Sequence, residues 1–310
     1  MNVAAARQVE STAVRFSPKW ISERLGRVGL HVAVIGLTLA WVVPTLGLLI
    51  SSFRPFTAIA TSGWWTALAP PYQWTLDNYS QVLDPATSNL GTAIFNSFMV
   101  AIPSTVIPVT IAAFAAYAFA WMKFPARDWI FLAFVGLLAV PLQLTFIPIS
   151  KFFVDHGIVP DNLSSIGLPP WVGLWLAHAG YGLPFSTYLL ANFFRALPSD
   201  LFESAEIDGA GTLTVFFRII LPLSVPALAS LVIFQFLWVW NDLLVALIYV
   251  GGAPEVAPLT VNLANLTNSL GQGYQLLTAA AFFSMIVPLA VFLSLQRYFV
   301  RGILAGSVKG

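Results

Sequence analysis

Two small groups of polar residues stand out from a chain that is otherwise apolar. The first is acidic: Glu203, Glu206 and Asp208 lie close together, with Asp200 just before them and Gly209 directly after. The second surrounds a single carboxylate, Asp242, with Gln235, Trp238, Trp240 and Asn241 beside it, while Gln143 is an isolated amide in another apolar run. Neither group is a catalytic constellation. His31, His156 and His178 are scattered, and no H-E-x-x-H or G-x-S-x-G pattern occurs, so neither a metal site nor a nucleophile is expected. The chain has no cysteine, which excludes disulfides, zinc–thiolate sites, haem attachment and thiol nucleophiles. No Gly-Lys pair occurs, so there is no phosphate loop of the G-x-x-x-x-G-K-[ST] form. The remaining chemistry is non-covalent: carboxylates presented to a partner, and aromatic faces with amide and carboxylate hydrogen-bonders of the kind that suit a sugar.

Each group must be positioned by a local element. Between two long apolar runs, residues 195–222 are too long and too patterned for a simple polar connector. Pro198 interrupts the preceding run, Asp200 fits an N-cap with Glu203 at capping-box spacing, and Gly209 suits a helix stop. A second short helix is expected from about Thr212 toward Pro222, with Leu213, Phe216, Phe217 and Ile220 on its apolar face. The acids fit a solvated helix face with favourably placed charge. They equally fit a protruding helix that offers carboxylates and small residues (Ala205, Gly209, Ala210) to a groove on another protein. Asp242 also has two readings. An ionisable residue deep in a membrane span costs about 2.5–3.5 kcal/mol on insertion scales and is functional by default. It serves either a solute path, with Gln143, Gln235, Trp238 and Asn241, or a polar contact between helices.

The elements that carry these groups are membrane spans. Of 310 residues, 58% are hydrophobic and 9% charged, and the mean hydropathy is +0.82. A soluble domain carries about a quarter charged residues, so lipid must cover much of this surface. Apolar runs long enough to cross a bilayer occur at about 29–50, 93–121, 129–149, 171–193, 223–250 and 276–299, and the expected fold class is an all-α integral membrane protein with six transmembrane helices. Prolines inside several runs are tolerable where neighbouring helices re-satisfy the freed carbonyls. Six spans put Arg7, Arg15, Lys19, Arg24, Arg27, Lys123, Arg127, Arg195, Arg218, Arg297, Arg301 and Lys309 on one side, and only Arg54 and Lys151 on the other. By the positive-inside rule the crowded side is cytoplasm, with both termini there. Residues 1–28 read as a retained basic cytoplasmic tail, too polar before Gly29 for a cleaved signal, and 29–310 as the transmembrane domain. The longest exterior segment, 51–91, is rich in Trp, Tyr and Pro, which suits an interfacial layer or a docking surface. A net charge of +1 argues against nucleic acid as a partner.

At this point the residues carry a resemblance. Glu203-Ser-Ala-Glu-Ile-Asp-Gly-Ala-Gly211, followed by Phe216, Ile219, Pro222 and Pro226, resembles the EAA loop of ABC importer permeases, with Ser204 where the eponymous motif has Ala. Ala115-Ala-Tyr-Ala-Phe-Ala with Lys123-Phe-Pro-Ala-Arg127, Leu183-Pro-Phe, Trp240-Asn-Asp-Leu and the tail Gln296-Arg-Tyr-Phe-Val-Arg-Gly with Ala305-Gly-Ser-Val-Lys-Gly310 are similar to the MalG-type subunit of the carbohydrate-uptake group. Ser51-Ser-Phe-Arg-Pro with Thr61-Ser-Gly-Trp-Trp is similar to the α-glucoside branch.

The resemblance implies a type I importer permease in the bacterial cytoplasmic membrane, non-catalytic and holding no cofactor. It implies a MalF-type second permease, two ATP-binding subunits that carry ATP and Mg, and an extracytoplasmic solute-binding protein. The coupling contacts would fall on Glu203, Ser204, Ala205, Asp208, Gly209, Ala210, Phe216 and Pro222. The cargo would be a sugar, an oligosaccharide or α-glucoside, moved by alternating access. An ion-coupled secondary transporter is the alternative, although such carriers generally need several intramembrane charges or repeated interrupted helices.

Overall fold

The structure is a computed structural model that describes residues 18–86, 88–266 and 273–307. All regular structure among the described residues is helical. The chain divides into two compact units, residues 1–76 and 77–310.

The first unit is built on α1 (Pro18–Ser52), which runs unbroken through Pro44. Its helix begins inside the stretch read as a tail, and residues before 18 lie outside those described. The segment Gly26–Ser52 is long and apolar enough to cross a membrane. Leu37 is 72% exposed and Trp41 85%, so this surface needs an apolar cover that no neighbouring element of the unit provides. Beyond it the chain folds back through α2 (Phe56–Thr61) and a 3₁₀ turn, Trp64–Leu68. Arg54, 2% exposed, organises that return. Its guanidinium donates to the carbonyls of Ala58 (3.1 Å) and Gly63 (3.1 Å) and to the Ser62 and Thr66 hydroxyls (2.6 and 3.2 Å). A planar fork of donors suits several acceptors at once in a way a lysine does not. Gly47 leaves room for Trp64, because a Cβ there would lie 2.8 Å from its Nε1.

The second unit runs α3 (Asp77–Leu83), α4 (Leu90–Trp121), α5 (Arg127–Leu137), a 3₁₀ turn (Leu142–Thr145), α6 (Phe146–Asp155), α7 (Pro160–Ser165) and α8 (Val172–Arg195). It continues through α9 (Asp200–Ile207), α10 (Thr212–Val215), a π-helical turn (Phe216–Ile220), α11 (Leu221–Leu223), α12 (Val225–Trp240), α13 (Leu244–Tyr249), α14 (Leu259–Asn265) and α15 (Tyr274–Ser307). The pairing of α4 with α8 is the most extensive contact. Small buried residues line it, among them Ala112 and Ala116 on α4 and Ala191 on α8, as expected where helix backbones approach closely without a hydrophobic drive. Helix α12 packs on both α4 and α15.

The expected spans emerge in different forms. Leu90–Trp121, through Pro103 and Pro108, and Tyr274–Gln296, through Pro288, are continuous and long enough to cross. The third run is not straight: α5 and the segment from Leu142 meet at 96°. Pro141 stands at that break, where it has no N–H to give and disfavours the helical conformation in the residue before it. The fourth run is α8, 24 residues long, yet it is not among the helices apolar enough to cross by composition. Its buried face carries His178, Ser186 and Thr187, which lowers its hydropathy while lipid never meets them. The fifth run leaves the preceding segment, Thr212–Leu223, through a 74° bend at Ser224 and is interrupted between Trp240 and Leu244. Among the described residues three helices are long and apolar enough to cross a membrane, or five if each bent pair counts as one span.

Candidate functional site

The acidic segment folds into α9, which starts one residue earlier than its N-cap reading implied. The Ser199 carbonyl accepts the first bonds, from the N–H groups of Phe202 (2.8 Å) and Glu203 (3.1 Å), so Asp200 lies in the first turn. At the other end Gly209 adopts φ +76°, and the Ala210 N–H returns to the Ala205 carbonyl at 2.9 Å. This is the left-handed helix stop that glycine favours. Asp208 N–H reaches the Ser204 carbonyl at 3.0 Å.

Helix α9 is held by aromatic footing. Phe202 stacks on Trp121 with ring centroids 3.8 Å apart, and Trp121 Nε1 donates to the Phe194 carbonyl at 3.0 Å. Phe202 and Ala205 are buried, so Ala205 belongs to the footing and is not on the presented face. The outward face carries Glu203, Ser204, Asp208 and Ile207, the last 86% exposed. Ala210 is half-buried and Gly209 exposed, with nothing of its own unit within 4 Å of a Cβ built there.

The following segment differs from its expected apolar face. Val215, Phe216 and Ile220 are buried, whereas Leu213 is 66% and Phe217 54% exposed. The π-helical turn at Phe216–Ile220 adds a residue to the turn and shifts which side chains point inward. Phe216 stacks on Phe114 at 4.7 Å, which makes it a support for the loop. Between α9 and this segment lies an open cleft of about 360 Å³, lined in part by Ser204, Asp208, Arg218 and Pro222. Sequence reasoning missed Ile207 and Arg218 here. An apolar residue between acids on a short exposed helix was the available signal for Ile207.

The second group surrounds the interruption of the fifth run. A helix broken at membrane depth leaves orphan backbone groups on both sides, and nearby side chains take them up. Asn241 Nδ2 donates to the Leu237 carbonyl at 2.7 Å. The Asp242 carboxylate accepts from the N–H groups of Val245 (3.3 Å) and Ala246 (3.0 Å) at the start of α13. Thr260 Oγ1 donates to the Asp242 carbonyl at 2.5 Å. His178, fully buried on α8, places Nε2 3.6 Å from Asp242 Oδ2. Trp238 meets the His178 ring edge-on, centroids 5.4 Å apart.

The five residues offered for a solute path differ in their exposure. Gln235 is 1% exposed. Its amide lies against Gly182, where a Cβ would come within 2.5 Å of Nε2, and it points to the Ser104 carbonyl at 3.4 Å. That burial removes it from any open path in this conformation. Asp242 is engaged in the break. Asn241 is exposed and Trp238 half-buried, while Gln143 is exposed on the separate 3₁₀ turn. His178 was not paired with Asp242 from sequence, although it too is an ionisable residue well inside a predicted span, and it lies on the buried side of its helix. Among the described residues no group of His, Asp and Glu could hold a metal ion.

The comparisons agree on a family. The profile described as "Binding-protein-dependent transport system inner membrane component" matches residues 108–305. The osmoprotective compounds uptake permease protein GgtD of Synechocystis is 52% identical over 286 residues, covering 91% of this chain and 92% of the relative. The α-glucoside transport system permease protein AglG of Rhizobium meliloti is 39% identical, covering 91% and 97%. Among solved structures, a chain of a bacterial ABC transporter that imports the acidic polysaccharide alginate superposes with a TM-score of 0.73 at 20% identity, covering 92% of this chain and 99% of that one.

Proposed function

The chain belongs to the family of binding-protein-dependent transport system inner membrane components, and from that premise we propose that it forms half of the membrane path of an ATP-driven importer for small neutral α-glucosides. As a member of this family it is an inner-membrane permease of type I importer fold. The α-glucoside class is supported by the relative named for α-glucoside transport and is compatible with the relative named for osmoprotective compounds. A neutral polyhydroxylated solute satisfies both descriptions.

The observation that carries the reading is α9 itself: a short helix on an aromatic footing that turns Glu203, Ile207 and Asp208 outward. An exposed isoleucine between carboxylates fits a groove with an apolar floor and a basic rim on an ATP-binding subunit. Ser204, Asp208 and Pro222 flank the adjoining cleft, and Gly209 leaves a smooth helix end. The chain adopts six spans with both termini in the cytoplasm, which places α9 on the side where ATP is available. A MalF-type second permease, two ATP-binding subunits holding ATP and Mg, and an extracytoplasmic binding protein complete the assembly. ATP drives the cycle only by binding one global state better than the other, and α9 passes that difference on as a rigid body. Asn241 and Trp238, which keep accessible surface on the fifth span, are the better candidates for touching solute.

The test is reconstitution of this chain with the co-purifying permease and ATPase. ATP hydrolysis should rise with binding protein loaded with maltose, trehalose or sucrose, and not with a charged alginate oligosaccharide. Stimulation by the charged sugar alone would refute the neutral α-glucoside reading. Purification without any ATPase would refute the assembly.

A further inference from the structure

We propose that His178 is a positioning residue for the break in the fifth span: its Nε2–H reaches Asp242 across the helix interface, and this contact sets the angle between α12 and α13 during transport. The inference rests on the transport reading above but concerns a residue outside the coupling loop.

The break otherwise accounts for its own polar groups. Asn241 takes the last-turn carbonyl of Leu237, the Asp242 carboxylate takes the N–H groups of Val245 and Ala246, and Thr260 takes the Asp242 carbonyl. His178 is the exception. It is 0% exposed, and among the described residues neither ring nitrogen has a hydrogen-bond partner. Burying an imidazole at membrane depth with both nitrogens unsatisfied is a standing cost. Asp242 Oδ2 stands 3.6 Å from Nε2, a few tenths of an ångström beyond the length of an N–H···O bond. The gap around the pair, closed by Ser97, Val100, Trp240 and Pro258, is too small for a water molecule, so the contact closes directly or not at all. Trp238, edge-on to the imidazole, limits how the ring turns.

The pair joins α8 to the point at which α12 ends and α13 restarts. Helix α8 is packed extensively on α4, so it is the frame to which the pair ties the break. Movement of α13 carries Tyr249, whose hydroxyl lies 2.7 Å from that of Tyr181, and Tyr181 in turn lies 2.7 Å from Thr145 Oγ1 on the turn that bears Gln143. The His178–Asp242 contact is thereby linked through hydrogen bonds to the break in the third run.

The absence of cysteine allows a clean measurement. Spin labels at Phe234→Cys on α12 and Leu247→Cys on α13, both on exposed positions, report the distance across the break in the reconstituted importer. The unsubstituted protein should give two distinct narrow distances, one without nucleotide and one trapped with ATP and vanadate. His178→Phe keeps the ring but not the N–H; it should merge the two into one broad distribution and lower uptake about tenfold, the scale of one lost hydrogen bond of ordinary strength. His178→Leu serves if that variant does not assemble. His178→Gln, which restores a donor, should recover both readings. An identical distance in both nucleotide states of the unsubstituted importer overturns the proposal, as does a phenylalanine variant indistinguishable from it, or a glutamine variant no better than phenylalanine. An unsubstituted importer that shows no ATP-dependent uptake counts instead against the transport reading.

Discussion

Gly209 shows how one residue can serve two masters. Its φ of +76° costs a residue with a Cβ about 1–2 kcal/mol, which alone explains a glycine. The empty space around it within its own unit leaves room for a partner to approach. Asparagine separates these roles because it tolerates the left-handed conformation. Gly209→Asn is expected to leave the melting temperature of the assembled importer within a few degrees while lowering binding-protein-stimulated ATP hydrolysis. Gly209→Ala should lower both. If Gly209→Asn kept full stimulation, the glycine would be there for the turn alone. Glu203, exposed on the outward face, should behave as a pure contact: Glu203→Ala is expected to preserve assembly and lose most coupled ATPase activity, read as hydrolysis with and without loaded binding protein. Its place in the first turn of α9 was legible in the sequence, although the cap fell on Ser199 and not Asp200, whereas the inward turn of Ala205 was not, because the small residues of the motif look alike until the helix phase is known.

At the scale of elements, the loop after α8 depends on a stack that sequence offered no means of finding. Trp121 ends one long helix and Phe202 lies far along the chain in α9, yet their rings lie 3.8 Å apart. Removing a buried aromatic costs about 3–5 kcal/mol. Phe202→Ala should therefore release α9, detected as faster proteolysis within residues 195–222 and loss of the ATPase on purification. Ile207→Ala, at an 86% exposed position, should leave proteolysis unchanged and weaken ATPase retention on its own. The opposite pattern would exchange the roles of footing and contact. The kinks follow a rule of the same scale. Prolines 44, 103, 108, 184 and 288 lie within continuous helices, where neighbours or lipid-buried geometry accommodate them. Pro141 coincides with a 96° break, and the residue type does not distinguish the two outcomes.

For the whole molecule, orientation is the property that charge predicts and helices alone do not. The two cations expected on the exterior are both locally engaged: Arg54 within a cage of carbonyls and hydroxyls, and Lys151 in an ion pair with Asp155 at 3.0 Å. The positive-inside assignment rests on the count of two cations against twelve, which these contacts leave unchanged. On the cysteine-free background, a membrane-impermeant thiol reagent applied to intact spheroplasts should label Trp65→Cys, 63% exposed, and should label Ile207→Cys only after lysis. Labelling of Ile207→Cys from outside would invert the topology and remove α9 from the ATP-bearing side.

The sequence by itself determined the class of the protein and the place of the acidic helix proposed for coupling. Composition forces an apolar surface into lipid, and the Glu203–Gly211 pattern is local, with cap, acids and stop each set by residues a few positions apart. It also marked Asp242 as the residue in need of an explanation. Only the tertiary structure decided what that explanation is. Burial of Gln235 against Gly182 and the crossing of His178 to within 3.6 Å of Asp242 join residues distant in the chain, and the local use of that carboxylate shows only once the helix is seen to restart after it. Periodicity shows that a residue lies on a helix; which neighbour it meets is fixed by how the helices pack.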